Sequence, residues 1–150
     1  MNIATSKIPD GFFEIERTER FTGLIGPWYS KKISEETGAR VLALLIEEKH
    51  TNIWGIAHGG LLVTMADTAL GYALARATDP PQNLVTVSLN SDFLASPKPG
   101  DWLEAHVKVI KTGSRMSFGE CQLKVGERIM LRSSGVFAVI TPPNGMKAPK

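Results

Sequence analysis

The stretch His58-Gly-Gly-Leu-Leu-Val-Thr-Met-Ala-Asp67-Thr-Ala-Leu-Gly-Tyr-Ala-Leu-Ala-Arg-Ala-Thr78 decides the fold. Leu, Val, Met, Ala and Gly crowd nearly every side of a helical period of about 3.6 residues, which predicts one long helix from about His58 to Thr78. Pro80-Pro81 ends it, because proline lacks the N–H and constrains the residue before it. Asp67 interrupts the run, which therefore falls short of the roughly 18 uninterrupted apolar residues of a membrane span. A helix apolar nearly all round must be covered on most sides.

The flanking sequence supplies the cover. Trp28 to Ile33 reads as a strand. Gly38 breaks the chain, and Val41-Leu-Ala-Leu-Leu-Ile46 within Arg40–Glu48 reads as another, by its length and the turn-like Lys49-His-Thr-Asn52 that follows. Beyond the helix the period changes to two. Val85, Val87 and Leu89 alternate with Thr86, Ser88 and Asn90, and Leu103, Ala105, Val107 and Val109 alternate with Glu104, His106 and Lys108. Arg115 to Val125 and Arg128 to Ile140 continue it. Pro97-Lys-Pro-Gly100, Thr112-Gly-Ser114 and Gly126-Glu127 are the turns between. The result is α+β, an antiparallel sheet curved around one central helix. Upstream, Asp10 is expected to cap a short helix carrying Phe12, Phe13 and Ile15. A helical turn is expected over Phe21 to Ile25, stopped by Gly26-Pro27. The chain reads as a single domain, with residues 1–20 a lead-in and 141–150 a loose tail.

Composition narrows the function. The 150 residues are 43% hydrophobic and 21% charged, ordinary for a globular domain. A net charge of +2, scattered along the chain, does not point to nucleic acid. The N-terminus lacks a signal-peptide pattern, and a lone cysteine, Cys121, allows no internal disulfide. Both fit a cytoplasmic protein that neither enters a membrane nor binds DNA.

Asp67 is the only acidic residue between His58 and Ala75. Burying an unpaired carboxylate costs several kcal/mol, so an apolar helix that keeps one has either a local partner for it or a chemical use. At the other end of the helix, His58-Gly59-Gly60 places small residues over the first backbone N–H groups. These have no intrahelical partner and carry partial positive charge. Gly59 and Gly60 leave room for a ligand oxygen, although a Gly-Gly pair is also an ordinary tight turn. Asp67 follows His58 by nine residues, about 13 Å along the axis and roughly half a turn out of phase. The acid and the helix tip of one chain therefore cannot share a site. A two-fold dimer with antiparallel central helices brings each acid to its neighbour's tip and creates two equivalent sites.

The pattern of Asn52, five residues, His58-Gly59-Gly60, six residues and Asp67 resembles the signature of the PaaI-like hotdog-fold thioesterases. Thr86-Val-Ser-Leu-Asn-Ser-Asp-Phe-Leu94, Pro97 to Asp101, Gly113-Ser-Arg-Met-Ser-Phe118 and Ser134-Gly-Val-Phe137 extend the resemblance over roughly residues 20–140. It implies a hotdog fold and hydrolysis of a small, medium-chain or aryl acyl-coenzyme A. The assembly it implies is a homodimer or a dimer of dimers, with no cofactor beyond the coenzyme A of the substrate. Asp67 would then be the general base or the nucleophile. Gly59 N–H would polarise the thioester carbonyl and His58 would line the site. Asn52 would orient the water or the carboxylate across the subunit boundary. Thr86 stands where some relatives have a serine that holds the water. Lys111 and Arg115, with Lys98, lie in or near turns where they are candidates for the coenzyme A phosphates, though each taken alone reads more simply as a solvated turn charge.

Other chemistries lack support. No G-x-S-x-G elbow occurs, His50, His58 and His106 match no zinc spacing, and Gly55 with Gly59-Gly60 is not a dinucleotide fingerprint. Cys121, mid-strand, reads as a buried bystander. Trp54, ahead of the helix, either shapes an acyl pocket or packs. Two alternatives use the same fold: a non-catalytic acyl-coenzyme A sensor, for which no partner domain is visible, and a dehydratase, whose His and acid placement is absent.

Overall fold

The apolar run folds as one helix, α2, spanning Gly59–Arg76 with His58 as its N-cap. In the computed structural model, residues 8–16, 18–143 and 146 are described. Much of the expected lead-in and tail, residues 1–7, 17, 144, 145 and 147–150, lies outside them. Ahead of α2 come strand β1 (Phe13–Glu14), helix α1 (Arg20–Ile25), strands β2 (Trp28–Lys32) and β3 (Arg40–Leu45), and a 3-10 turn at Glu48–His50. After it come β4 (Leu84–Phe93), β5 (Trp102–Thr112), β6 (Met116–Val125) and β7 (Arg128–Val139). They form one seven-stranded sheet in the order β1-β2-β3-β5-β6-β7-β4, every pairing antiparallel. This is the α+β hotdog arrangement expected from the sequence, with the sheet curved around one main helix. No helix among the described residues is long and apolar enough to cross a membrane.

Two expectations fail, the helix after Asp10 and the unbroken alternation of β4. The segment after Asp10 is not a helix. Phe12 N–H closes a turn onto Pro9 C=O at 3.2 Å, with Gly11 at φ +86°. Phe13–Glu14 then pairs with Tyr29 and Ser30 of β2. Tertiary packing overrides local propensity, because Phe12 is needed on the outer face of the sheet. There it sits edge-on to Trp102, ring centroids 5.1 Å apart, in a small cluster with Tyr29, Val41 and Ala43.

The main core lies on the opposite face. Leu61, Leu62, Met65, Ala66, Ala69, Leu70 and Leu74 of α2 bury against Leu44, Leu103, Ala105, Leu123, Leu131 and Phe137. Each fully buried aliphatic side chain contributes about 1.5–3 kcal/mol. Two glycines set how closely the helix lies on the sheet. A Cβ at Gly119 would stand 2.9 Å from a Leu70 methyl, and one at Gly135 would stand 2.8 Å from the Phe137 ring and 3.0 Å from Leu70. The opposite side of α2 is only partly covered and carries small residues, Gly60, Thr64, Thr68 and Ala75, while Gly71 lies over Phe137, where a Cβ would stand 3.5 Å from the ring. Thr64 and Thr68 turn their hydroxyls onto the carbonyls one turn back, at 2.8 and 2.7 Å, so this face asks for no further hydrogen-bond partner.

Strand β4 is an edge strand, and its register departs from simple alternation. A bulge falls between Thr86 and Ser88, leaving Val87 without a partner residue on β7. The extra residue turns the strand over. As a result Thr86 and Leu89, three positions apart, both face α2, while Val85 and Val87 are 44% and 57% exposed.

Candidate active site at helix α2 and strand β4

The inward turn of Thr86 gives Asp67 a partner. Thr86 Oγ1 donates to Asp67 Oδ1 at 2.5 Å. The carboxylate is therefore neither unpaired nor fully buried in the protomer. It is half-buried, braced by one hydroxyl, and its second oxygen takes no protein donor among the described residues. In the sequence, Thr86 is tied to the chemistry only by its resemblance to a family serine. The bulge that aims it leaves no signature in the sequence.

The helix tip is organised differently from a bare pair of glycines. His58 Nδ1 accepts the Gly60 N–H at 2.8 Å, so the histidine caps its own helix. Its Nε2 is directed away from that bond and the residue is exposed. Gly60 N–H is thus already engaged, and Gly59 N–H remains without a protein acceptor among the described residues. With the helix dipole behind it, Gly59 N–H is suited to a developing oxyanion. Phe93, at the end of β4, flanks it: a Cβ at Gly59 would stand 3.3 Å from the Phe93 ring. Nothing in the local sequence singles out Phe93 for a role. Its adjacency follows from the return of β4 past the helix start.

The loop ahead of the tip is tied to the body. His50 is buried, 3% exposed. Its Nδ1 accepts from Glu47 N–H at 2.9 Å and its Nε2 donates to the Ile25 carbonyl at 2.6 Å, while its own carbonyl accepts His58 N–H at 2.9 Å. Asn52 uses its side-chain oxygen locally, accepting Trp54 N–H at 2.9 Å. Within one chain Asn52 makes no bond to Asp67, and neither does any atom of the helix tip. Gly59 and Asp67, eight residues apart on a straight helix, are separated by about 12 Å along its axis.

Lys111 and Arg115 stand exposed at the β5–β6 hairpin, which lies at the same end of the sheet as Thr86: Arg115 C=O accepts Val139 N–H at 2.8 Å, and Val139 pairs with Leu84 of β4. Neither has an acidic partner among the described residues. Cys121 is 1% exposed, and burial pushes its thiol up to about 12, the opposite of an activated nucleophile. Among the described residues no three His, Cys, Asp or Glu side chains gather as a metal site would require.

Comparison with known proteins identifies the family. A family model described as "Thioesterase superfamily" matches residues 55–130, just over half of the chain and the part that holds the helix tip, Asp67 and Thr86. A Pseudomonas aeruginosa protein named "Putative esterase PA0474" is 45% identical over 130 residues, covering 87% of this chain and 96% of its own length. Human "Acyl-coenzyme A thioesterase 13" is 30% identical over 91 residues, 61% of this chain, and the chain spans 64% of that protein's length. Among solved structures, the Escherichia coli PaaI protein from the phenylacetic acid degradation operon superposes with a TM-score of 0.63 at 23% identity, covering 68% of this chain and 72% of that one. At that identity it is the fold that is shared.

Proposed function

The chain belongs to the thioesterase superfamily, and on that premise we propose that it hydrolyses acyl-coenzyme A thioesters at sites shared between two copies of itself. The observation that carries the reading is the separation within one chain of two complementary half-sites: a braced carboxylate at mid-helix and an unpartnered N–H at the helix tip.

An antiparallel pair of α2 helices joins the halves. The small residues Gly60, Thr64, Thr68 and Ala75 permit close approach, since the two hydroxyls among them are already bonded to the helix backbone. The outer edge of β4 has no partner strand among the described residues. An unpaired edge with exposed Val85 and Val87 favours antiparallel extension by the same two-fold axis.

In the proposed reaction the thioester carbonyl oxygen accepts from Gly59 N–H of one copy. Asp67 of the other, held by Thr86, takes a proton from water through its second oxygen. The hydroxide adds to the carbonyl carbon, and negative charge gathers on the oxygen at the helix tip. Collapse breaks the carbon–sulfur bond. The proton on Asp67 passes to the departing thiolate, giving a carboxylic acid and coenzyme A thiol. His58 holds the tip by capping Gly60, and Asn52 shapes the loop that leads into it. Lys111 and Arg115 are proposed to meet the phosphates. Phe93, beside Gly59, is suited to a small, medium-chain or aryl acyl group, the substrate class proposed. A buried, reduced Cys121 accords with the cytoplasm, the compartment proposed for the protein.

The test is a panel of alkyl and aryl acyl-coenzyme A thioesters with spectrophotometric thiol detection, on wild type and Asp67→Ala. The expected result is turnover by wild type and a loss of at least about a hundredfold in the variant. Binding of the panel without turnover would instead identify a sensor, and activity unaffected by Asp67→Ala would remove the mechanism.

A further inference from the structure

A cleft of about 510 Å³ opens between the last turns of α2 and the fork where β3 and β5 separate. The pairing of these strands runs from Leu45↔Trp102 only as far as Leu42↔Ala105. Past that point β5 pairs with β6 alone among the described residues. The cleft is floored by Ile33, Tyr72, Ala73, Val107 and Val109. Val109 is paired with Gly119, where a Cβ would meet Leu70 and Leu74 of α2, so Val109 faces the helix side of the sheet. A filled core would bury it, yet it is 40% exposed. The volume is that of a small-molecule site.

Two arginines, Arg40 and Arg76, belong to the lining, and among the described residues no acid does. Neither arginine has a carboxylate partner among them. Arg40 stands directly opposite Lys32 on β2, a position where like charges repel. Lys32 turns to Glu35 at 2.6 Å. Arg40 gives one N–H to Ser30 Oγ at 3.1 Å and keeps its other donors. Arg76 lies over the Tyr72 ring, its guanidinium 3.8 Å from the ring centre. Stacking occupies the face of the guanidinium and leaves the N–H groups at its edge to meet an anion. His106, also in the lining, has its ring on Glu104 at 2.9 Å. An apolar floor, two cations and no acid suit a ligand with an apolar chain or ring and one anionic head. A carboxylate is the planar, bidentate match to a guanidinium.

The cleft is separate from the carboxylate at mid-helix. Tyr72 and Arg76 lie five and nine residues beyond Asp67, which turns them about 140° and 180° from it and carries them about 8 and 14 Å along the helix. In the sheet, β6 and β7 stand between β5 and the β4 edge. Copies joined along β4 therefore leave the cleft open. We propose that it is a second ligand site, which takes an aliphatic or aryl monocarboxylate with its head on Arg40 and Arg76 and its body on Tyr72, Ala73 and Val109. Acids of this class are also what the proposed hydrolysis releases, but the site does not depend on that reaction.

Isothermal titration calorimetry of the full chain with octanoate tests it, with 1-octanol and octyltrimethylammonium as the uncharged and cationic counterparts. Octanoate is expected to saturate one site per chain and to bind at least about tenfold more tightly than either counterpart. Arg40→Gln/Arg76→Gln, which changes two exposed side chains, is expected to weaken octanoate at least about tenfold. Ala73→Trp fills the floor and is expected to abolish saturable binding. Should Ala73→Trp not fold by circular dichroism, Val109→Trp enters the same cleft from β5. Asp67→Ala is expected to leave octanoate binding unchanged, and the arginine variant to leave kcat and KM for acyl-coenzyme A unchanged. No saturable binding to wild type, or equal binding by the arginine variant, would overturn the proposal. So would loss of octanoate binding in Asp67→Ala, its displacement by coenzyme A, or a raised KM in the arginine variant, each by giving the cleft or the acid to the catalytic site. A chain that hydrolyses no thioester yet binds octanoate through the two arginines would end the catalytic reading and uphold this one.

Discussion

Thr86 Oγ1 on β4 donates to Asp67 Oδ1 on α2 across 2.5 Å. A hydrogen bond to a charged group contributes about 1.5–3 kcal/mol, and a tenfold change in rate corresponds to about 1.4 kcal/mol. Thr86→Val keeps the shape and deletes the hydroxyl, so kcat is expected to fall about 10–100-fold. Thr86→Ser restores the donor and should stay within about threefold of wild type by the same reasoning. Steady-state kinetics of the two variants side by side make the check. Equal losses in both would show that the methyl group, not the bond, is what matters.

Gly59→Pro removes the proposed oxyanion donor while suiting the backbone. Proline is well tolerated at the first helical position, and His58, at φ −63° and ψ 134°, already has the extended geometry that a following proline demands. The loss of one oxyanion donor is expected to lower kcat about 10²–10³-fold. Mixing this variant with Asp67→Asn, after dissociation and reassociation, should restore about a quarter of wild-type activity, because each mixed dimer regains one intact site. Two inactive variants that stay inactive when mixed would place both groups of each site on a single chain.

His50 joins the 3-10 turn, the α1 segment and the helix entry through Glu47 N–H, the Ile25 carbonyl and its own carbonyl to His58. Its truncation leaves a buried donor and a buried acceptor unpaired. His50→Ala is expected to cost about 2–4 kcal/mol in a urea titration. A value near zero would mean that water replaces the ring without penalty.

Cys121 should be inert in the native state. Burial raises its thiol from 9.0 to about 12, so iodoacetamide at pH 8 is expected to modify it only on unfolding. The sign of the pH dependence follows. A group whose pKa is raised in the fold binds its proton more tightly there. Its contribution to stability is complete below pH 9 and is lost progressively as pH rises from about 9 towards 12. Cys121→Ala should flatten that part of the stability–pH curve, measured by thermal melts.

Helix α2 was readable because its sequence is unambiguous at short range: an apolar run of helical period, closed by two prolines. The strands after it were readable because stretches of two-residue period bounded by turns suit an extended chain, although β4 breaks that period at Val87. Asp67 stood out as the only acid in that run, and its distance from the helix tip followed from helix geometry alone. By contrast, Asp10 before Phe12 reads locally as a helix start, yet the segment is β1. The hydrophobic cluster that claims Phe12 is assembled from Tyr29, Val41 and Trp102, residues remote in sequence.

Sequence by itself determined the central helix, the four strands that follow it and the lone carboxylate, since these depend on local periodicity and residue chemistry; the family was legible through the resemblance of its motif. Only the tertiary structure decided that a bulge at Val87 turns Thr86 onto Asp67. It also decided that His58 spends its ring on Gly60 and leaves Gly59 N–H as the unpartnered donor, with Phe93 beside it. Those facts depend on the register of a strand against its neighbour and on one ring rotamer. Differences of a few kcal/mol spread over distant contacts set both, and no short stretch of residues records them.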